Sequence, residues 1–330
     1  MEIRVRNVNE AVSEALWKLK VSGVKEESRN GPVIVFPEPV TTIYEKPQER
    51  VLFWGERDCN PTFHLMESLW MMAGRRDVKF VEYYNSGMKN FSDNGLHFNA
   101  AYGHRWRHKF GVDQIVEIIK LLREDPKTRR AVMQIWDPAD LLKVGSKDLA
   151  CNLEVLFDTR YEQLNMTVLN RSNDMIWGAY GANAVHFSFM MEFIASAIGL
   201  PVGTYRQFSN NLHMYTELYD FGKHLENPPD HYEYDHYKTG VKPYPIMTGD
   251  NWESWLKECE EFCDNPYSKT NYEHSFFLDV ATPMAVAYKM RKDKLDSGKK
   301  YANQIVADDW RIAVIEWIDR REAAKTQKGL

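Results

Sequence analysis

The stretch 183–198 constrains the fold of this chain more than any other. It reads NAVHFSFMMEFIASAI, apolar on nearly every side of a helix, and Gly199 then Pro201 close it. A helix without a polar face has to be covered all round by other elements. It is also too short to cross a bilayer. The remainder of the chain must therefore wrap it as a long buried central helix. With 330 residues, 44% of them hydrophobic and 13% aromatic, there is enough material to do so as one elaborated domain, 1–330.

The flanking pattern supplies the wrapping. Helical periodicity predicts helices over 8–21, 62–72 (with Thr62 as cap) and 113–123, the last stopped by Pro126. Strand patterns cover 33–36, 131–136, 151–158 and 164–170, with a hairpin closed by 159–163, and 205–215 is strand-like. A turn is expected at 27–32 and a loop, rich in Gly, Asn, Ser and Asp, at 83–99. Beyond about 220 the chain reads as a mostly helical extension: an ordered loop at 228–244, then helices over 251–262, 281–292 and 308–324. The class is α+β, a mixed twisted β-sheet flanked by helices.

Composition narrows the partners. A net charge of −5 and the lack of any basic run argue against a general nucleic-acid surface, so no nucleic acid is expected as a main partner. No apolar run reaches membrane length and no signal peptide is visible, which excludes a membrane role and fits a cytoplasmic protein. The four cysteines, Cys59, Cys151, Cys259 and Cys263, form no disulfide framework. Cys259 and Cys263 stand at helical spacing with only His274 near. They read as thiols on a partly buried helix, and no metal is expected.

One cysteine has different company. Around Cys151 the chain carries Arg129-Arg130 after Pro126, then Arg171-Ser172-Asn173-Asp174, Gly178, Asn183 and His213-Met214-Tyr215. A thiol, guanidinium forks, an amide and a His/Tyr pair suit a small anionic substrate. Taken singly, each has a plainer reading. A cysteine opening a strand is usually core, paired arginines after a proline usually face water, Asp174 steadies a turn, and Asn183 caps a helix.

In their order these residues resemble the thymidylate synthase superfamily, which includes phage pyrimidine nucleotide hydroxymethylases. The resemblance spans about 29–215. It is carried by Glu67-x-x-Trp70 with Gly74, Tyr102-Gly103-x-x-Trp106-Arg107, Arg129-Arg130, Cys151, Arg171-Ser-x-Asp174 with Gly178, Asn183 and His213-x-Tyr215. It implies a folate-dependent one-carbon transferase that uses 5,10-methylenetetrahydrofolate as co-substrate. Cys151 would add to C6 of a pyrimidine, with Glu67 and Tyr102 moving protons. Arg29, Arg129, Arg130, Arg171 and Ser172 would hold the phosphate, Ser172 and the arginine pair favouring a 2′-deoxy sugar. His213 and Tyr215 would reach the ribose 3′-hydroxyl. Asp174, Gly178 and the position of Met88 would face the co-substrate. The resemblance further implies a homodimer in which Arg129 and Arg130 reach into the partner's site.

Asn183 falls at the base-reading amide, where accepting from N3–H and donating to O4 suits uracil. The segment before it is one residue longer than in the usual synthases; without an insertion there, Ala182 would occupy the position. Three departures favour water over hydride as the final donor. The folate-facing tryptophans are replaced at about Met88 and Phe91, the nucleophile's surround is Ala150-Cys151-Asn152, and the chain ends polar. The expectation is 5-hydroxymethylation of a deoxypyrimidine monophosphate, dUMP first and dCMP second. The alternatives are reductive methylation of dUMP to dTMP and a catalytically inactive nucleotide- or RNA-binding member.

Overall fold

The computed structural model describes residues 1–28, 30–217, 223–296 and 298–327, with side chains through 324. The phosphate-binding expectation at Arg29 lies outside these residues, as do the side chains of the polar end. The first half of the chain forms β1 (Glu2–Val5), α1 (Val8–Ser22), β2 (Val24–Ser28), β3 (Gly31–Val35), β4 (Val40–Tyr44), α2 (Pro61–Met72), α3 (Val78–Tyr84), α4 (Tyr102–Arg107) and α5 (Gln114–Glu124). The second half adds β5 (Val132–Gln134), β6 (Asn152–Asp158), β7 (Leu164–Asn170), β8 (Asn173–Asp174), α6 (Asn183–Ile198), β9 (Val202–Ser209) and β10 (Leu212–Tyr215). Helices Trp252–Asp264, Thr282–Lys292 and Asp308–Gln327 follow.

The apolar stretch is α6, and every residue from Asn183 through Ala195 is buried. Gly199 closes it in the left-handed conformation at φ 71°. One side of α6 meets β7 and β9; α2, α5 and the helix Trp252–Asp264 cover the others. Its one carboxylate, Glu192, is not exposed. It pairs with buried Arg50, whose Nε also donates to Ser188 Oγ at 3.0 Å, so the charge is compensated on the helix it crosses. The helices after residue 250 pack on α2, and their Trp255, Phe262, Phe277, Trp310 and Trp317 belong to the same buried cluster as the strands.

Two sheets replace the single one expected. The larger runs β1-β4-β9-β7-β6-β5 and the smaller β2-β3-β10-β8. The stretch 205–215 is not one strand: β9 ends in the larger sheet, the chain turns at Asn210-Asn211, and β10 enters the smaller one. β7 makes the same change into β8. The two crossovers are tied by Asn210 N to Asn170 O (2.9 Å) and Asn173 N to Asn211 O (2.8 Å). Alternation continues through both strands, so periodicity gave no sign of the corner.

Other differences have local causes. The cap of α2 is Asn60, whose Oδ1 accepts from Phe63 N at 3.1 Å with Pro61 at the first helical position, not Thr62. In the region of the expected turn at 27–32, β2 and β3 pair antiparallel, with Ser28 opposite Gly31. All of β2 is solvent-exposed and lacks the alternation that marks a half-buried strand. The expected loop 83–99 starts inside α3 and contains a 3-10 turn at Met88–Phe91.

Candidate active site

Cys151 sits at the entrance to β6, half-buried and next to the seam between the sheets. Its backbone N–H donates to Tyr102 Oη at 3.3 Å, and its carbonyl accepts from Arg171 N at 2.9 Å. The Arg171 side chain folds back over this point. Nε donates to Ala150 O at 2.8 Å, Nη2 lies 3.9 Å from Cys151 Sγ, and the guanidinium covers the Trp136 ring at 5.6 Å. A cation beside a half-exposed thiol favours the thiolate, the form that attacks. Burial next to the thiol pushes Tyr102 well above its usual range, so it stays a phenol.

The amide Asn183 is buried and tethered. Its Nδ2 donates to Asn173 Oδ1 at 3.1 Å, and Asn173 Nδ2 in turn donates to Ser209 Oγ at 3.2 Å. The tether uses one amide hydrogen and leaves the carbonyl and the second hydrogen for a ligand. Gly178 makes this possible: a Cβ there would stand 2.5 Å from Asn173 Oδ1. The residue is glycine because the two asparagines occupy its side-chain space. The plain capping role is absent, since Asn183 follows a π-helical segment, Met175–Ala182, and makes no cap bond. The backbone leaves helical geometry at Tyr180 and Gly181, just before Asn183 opens α6. Asp174 Oδ1 caps that segment through Ile176 N at 2.9 Å, and burial lifts its carboxyl to about 6 against its backbone hydrogen bonds.

Glu67 lies on α2, facing α6. Its carboxylate is 3.2 Å from His186 Nε2, without hydrogen-bond alignment, and His186 in turn lies edge-on to His64, their centroids 6.4 Å apart. Burial pushes Glu67 up to about 8 and His186 down to about 3. At neutral pH the contact joins a carboxylic acid to a neutral imidazole, so a proton can be held there at little electrostatic cost. Sequence reasoning missed His186. Its signal was a polar ring three residues after Asn183, one turn along an otherwise apolar helix.

His213 and Tyr215 alternate on the half-buried face of β10 with centroids 5.2 Å apart, and His213 Nδ1 is 2.8 Å from Asn211 Oδ1. Ser172 is half-buried on the crossover between β7 and β8. The structure thus gathers Cys151, Arg171, Ser172, Asp174 and His213 along the paired crossovers. Arg129 and Arg130 are not brought to this group by a contact within the chain. They are exposed before β5 and make no ion pair among the described residues. Met88 is half-buried and Phe91 58% exposed, on the 3-10 turn after α3. The Cys259 and Cys263 thiols are buried in the helix Trp252–Asp264, and no group of metal-ligating side chains occurs among the described residues. No helix among them is long and apolar enough to cross a membrane.

A family model described as thymidylate synthase matches residues 18–234. The chain is 47% identical over 335 aligned residues to a deoxyuridylate hydroxymethyltransferase of Pseudomonas phage M6, covering 98% of this chain and 95% of that one. It is 40% identical over 192 residues to a deoxyuridylate hydroxymethyltransferase of Bacillus phage SP01, covering 55% and 50%. Among solved structures, thymidylate synthase from T4 phage superposes with a TM-score of 0.59 over 79% of this chain and 96% of that one. At 17% identity, that is a likeness of fold.

Proposed function

Since the chain belongs to the thymidylate synthase family, we propose that it transfers a one-carbon unit from 5,10-methylenetetrahydrofolate to C5 of dUMP and releases 5-hydroxymethyl-dUMP. The observation that carries this reading is the 47% identity, across nearly the full length of both chains, to a phage deoxyuridylate hydroxymethyltransferase. The geometry supports it at the points where chemistry is required.

Cys151 Sγ adds to C6 of the uracil, and the electron pair displaced from the C5–C6 bond makes C5 nucleophilic. Arg171, beside the sulfur and Ala150 O, favours the thiolate and helps hold the phosphate with Ser172. Asn183, fixed by Asn173, reads N3–H and O4 of the base. His213 and Tyr215 take the 3′-hydroxyl. The co-substrate supplies a carbon at the oxidation level of formaldehyde and is bound beside Asp174, Gly178 and Met88. Once C5 carries the new carbon, its proton is removed with Tyr102 as helper, and Glu67 exchanges protons near O4. Water then adds to the exocyclic carbon as Cys151 leaves C6. The balance is dUMP, methylenetetrahydrofolate and water in, hydroxymethyl-dUMP and tetrahydrofolate out. The half-buried Met88 and exposed Phe91 leave this side more open to water than tryptophans would. The active unit on this reading is a homodimer, with Arg129 and Arg130 completing the partner's phosphate site.

The test is product mass. Incubation with dUMP, tetrahydrofolate and isotopically labelled formaldehyde should add one CH2O unit to the nucleotide. A gain of CH2 alone would replace this reading with reductive methylation, and a higher rate on dCMP than on dUMP would reassign the base.

A further inference from the structure

Two loops meet beside the proposed nucleophile. One, 85–101, leads from α3 to Tyr102 at the start of α4; the other, 135–150, leads from β5 to Cys151. Each places a carboxylate on the backbone of the other. Asp93, in the first loop, accepts from Lys147 N at 2.9 Å and from Ser146 Oγ at 2.7 Å. Asp148, in the second, accepts from Ala100 N at 3.2 Å and from Asn99 N. Asn99 joins the two halves, since its Nδ2 donates to Asp93 at 2.9 Å. A further tie lies beneath. Arg105, buried on α4, pairs with Asp140 at 2.6 Å and donates to Ile135 O at 2.7 Å in the second loop, and its Nη2 donates to Asn99 O at 3.1 Å in the first.

The arrangement carries an electrostatic cost. Asp148 is 9% exposed; burial raises its pKa, and the charge of Asp93 adds to the rise, against the two backbone hydrogen bonds it accepts. Surface loops can satisfy such N–H groups with water instead. What the carboxylates fix is the distance between two chain segments. Tyr102 stands two residues after Ala100, Cys151 stands three after Asp148, and Cys151 N meets Tyr102 Oη at 3.3 Å. We propose that Asp93 and Asp148 form a reciprocal clasp that sets the Tyr102 hydroxyl against Cys151, which makes both aspartates positioning residues for removal of the C5 proton. The proposal rests on the role given to Tyr102 above and adds what holds it there.

Kinetics and amide exchange test it together. Asp148→Asn and Asp93→Asn should each lower kcat about tenfold and leave the KM for dUMP within about twofold. Each should also enlarge the isotope effect on kcat with dUMP deuterated at C5, because proton removal becomes the slower step. In a Tyr102→Phe background the same changes should cost less than about twofold in kcat, since the group they position is gone. Without turnover, Asp93→Asn should speed deuterium exchange at the amides of Asn99, Ala100 and Cys151 as well as at Lys147, the amide it binds directly, because the clasp opens as a unit. Asp93 is exposed, so its variant tests the clasp even where loss of the buried carboxylate unfolds the chain. Equal losses of kcat in the two backgrounds overturn the proposal, as do exchange that rises at Lys147 alone and full activity of Tyr102→Phe. If both aspartate variants form hydroxymethyl-dUMP at the unaltered rate, the clasp fails while the reaction stands. If the unaltered protein forms none, the functional reading fails and the clasp's role with it.

Discussion

The two sides of the proposed site are built on different principles. On the nucleotide side, Arg171, Ser172, Asp174 and His213 lie on or beside two neighbouring crossovers between sheets with Cys151 at the adjoining entrance to β6, and Cys151, Arg171, Asp174 and His213 each make a hydrogen bond to a nearby backbone or side-chain group. On the other side, Arg57, stacked on Trp177, lines a cleft with Arg291, stacked on Trp317 and more than a hundred residues further along the chain. The first is a finished network around a ligand with few degrees of freedom. The second is held by stacking between side chains from distant parts of the chain.

The contrast predicts a graded set of losses. Cys151→Ala should remove product altogether, a drop of at least about 10³-fold in rate, because no other group supplies the nucleophile; residual turnover measured by product mass would break the nucleotide half of the account. Glu67→Gln should lower kcat by about 10² to 10³-fold with dUMP affinity kept, as expected for a group that moves protons.

The same variant carries a stability prediction with a definite sign. Burial raises the Glu67 pKa from the usual carboxylate value of 4.5 to about 8. Between those values the folded state holds a proton that the unfolded state has lost. Its contribution to stability is therefore complete below pH 4.5, declines as pH rises, and is gone above pH 8. Glu67→Gln should accordingly gain in Tm relative to the unaltered protein as pH climbs from 5 to 8. A Tm difference that does not vary with pH would show that the carboxyl is not perturbed.

Smaller effects sharpen the boundary between the halves. Asn183→Asp should move the dUMP to dCMP preference by about tenfold toward cytosine, since a carboxyl suits the N3/amino edge. His186→Asn should reduce kcat about tenfold and shift the pH profile while leaving the KM for dUMP within about twofold, as expected of a positioning residue for Glu67. Gly178→Ala should raise the KM for dUMP several-fold by displacing Asn173 and with it Asn183. An unchanged KM would mean the tether is not part of base recognition.

The positions of the proposed nucleotide-side residues were legible because they come as short, ordered motifs at element ends: Cys151 ahead of a strand, Arg171-Ser172 after one, Asn183 at the head of an apolar helix. The central helix was legible for a simpler reason, since a run without a polar face has one destination. What escaped depends on space rather than spacing. The corner at Asn210-Asn211 leaves alternation intact on both sides, so β9 and β10 looked continuous. β2 is wholly exposed and shows no pattern. Asn60 rather than Thr62 caps α2 because the proline between them starts the helix. His186 looked like one polar residue in an apolar helix until α2 brought Glu67 to 3.2 Å. The cleft was invisible because nothing in the order of the chain links Arg57 to Arg291.

The account depends on a bond between Cys151 and C6 of the base, and 5-fluoro-dUMP interrogates that bond directly. Fluorine at C5 cannot leave as the proton does, so the complex formed with methylenetetrahydrofolate should stall with the nucleotide attached. Tandem mass spectrometry of the digested protein is predicted to find nucleotide and folate together on the peptide containing Cys151, and none in Cys151→Ala. An adduct on another cysteine, or a catalytically active protein that forms no adduct, would contradict it.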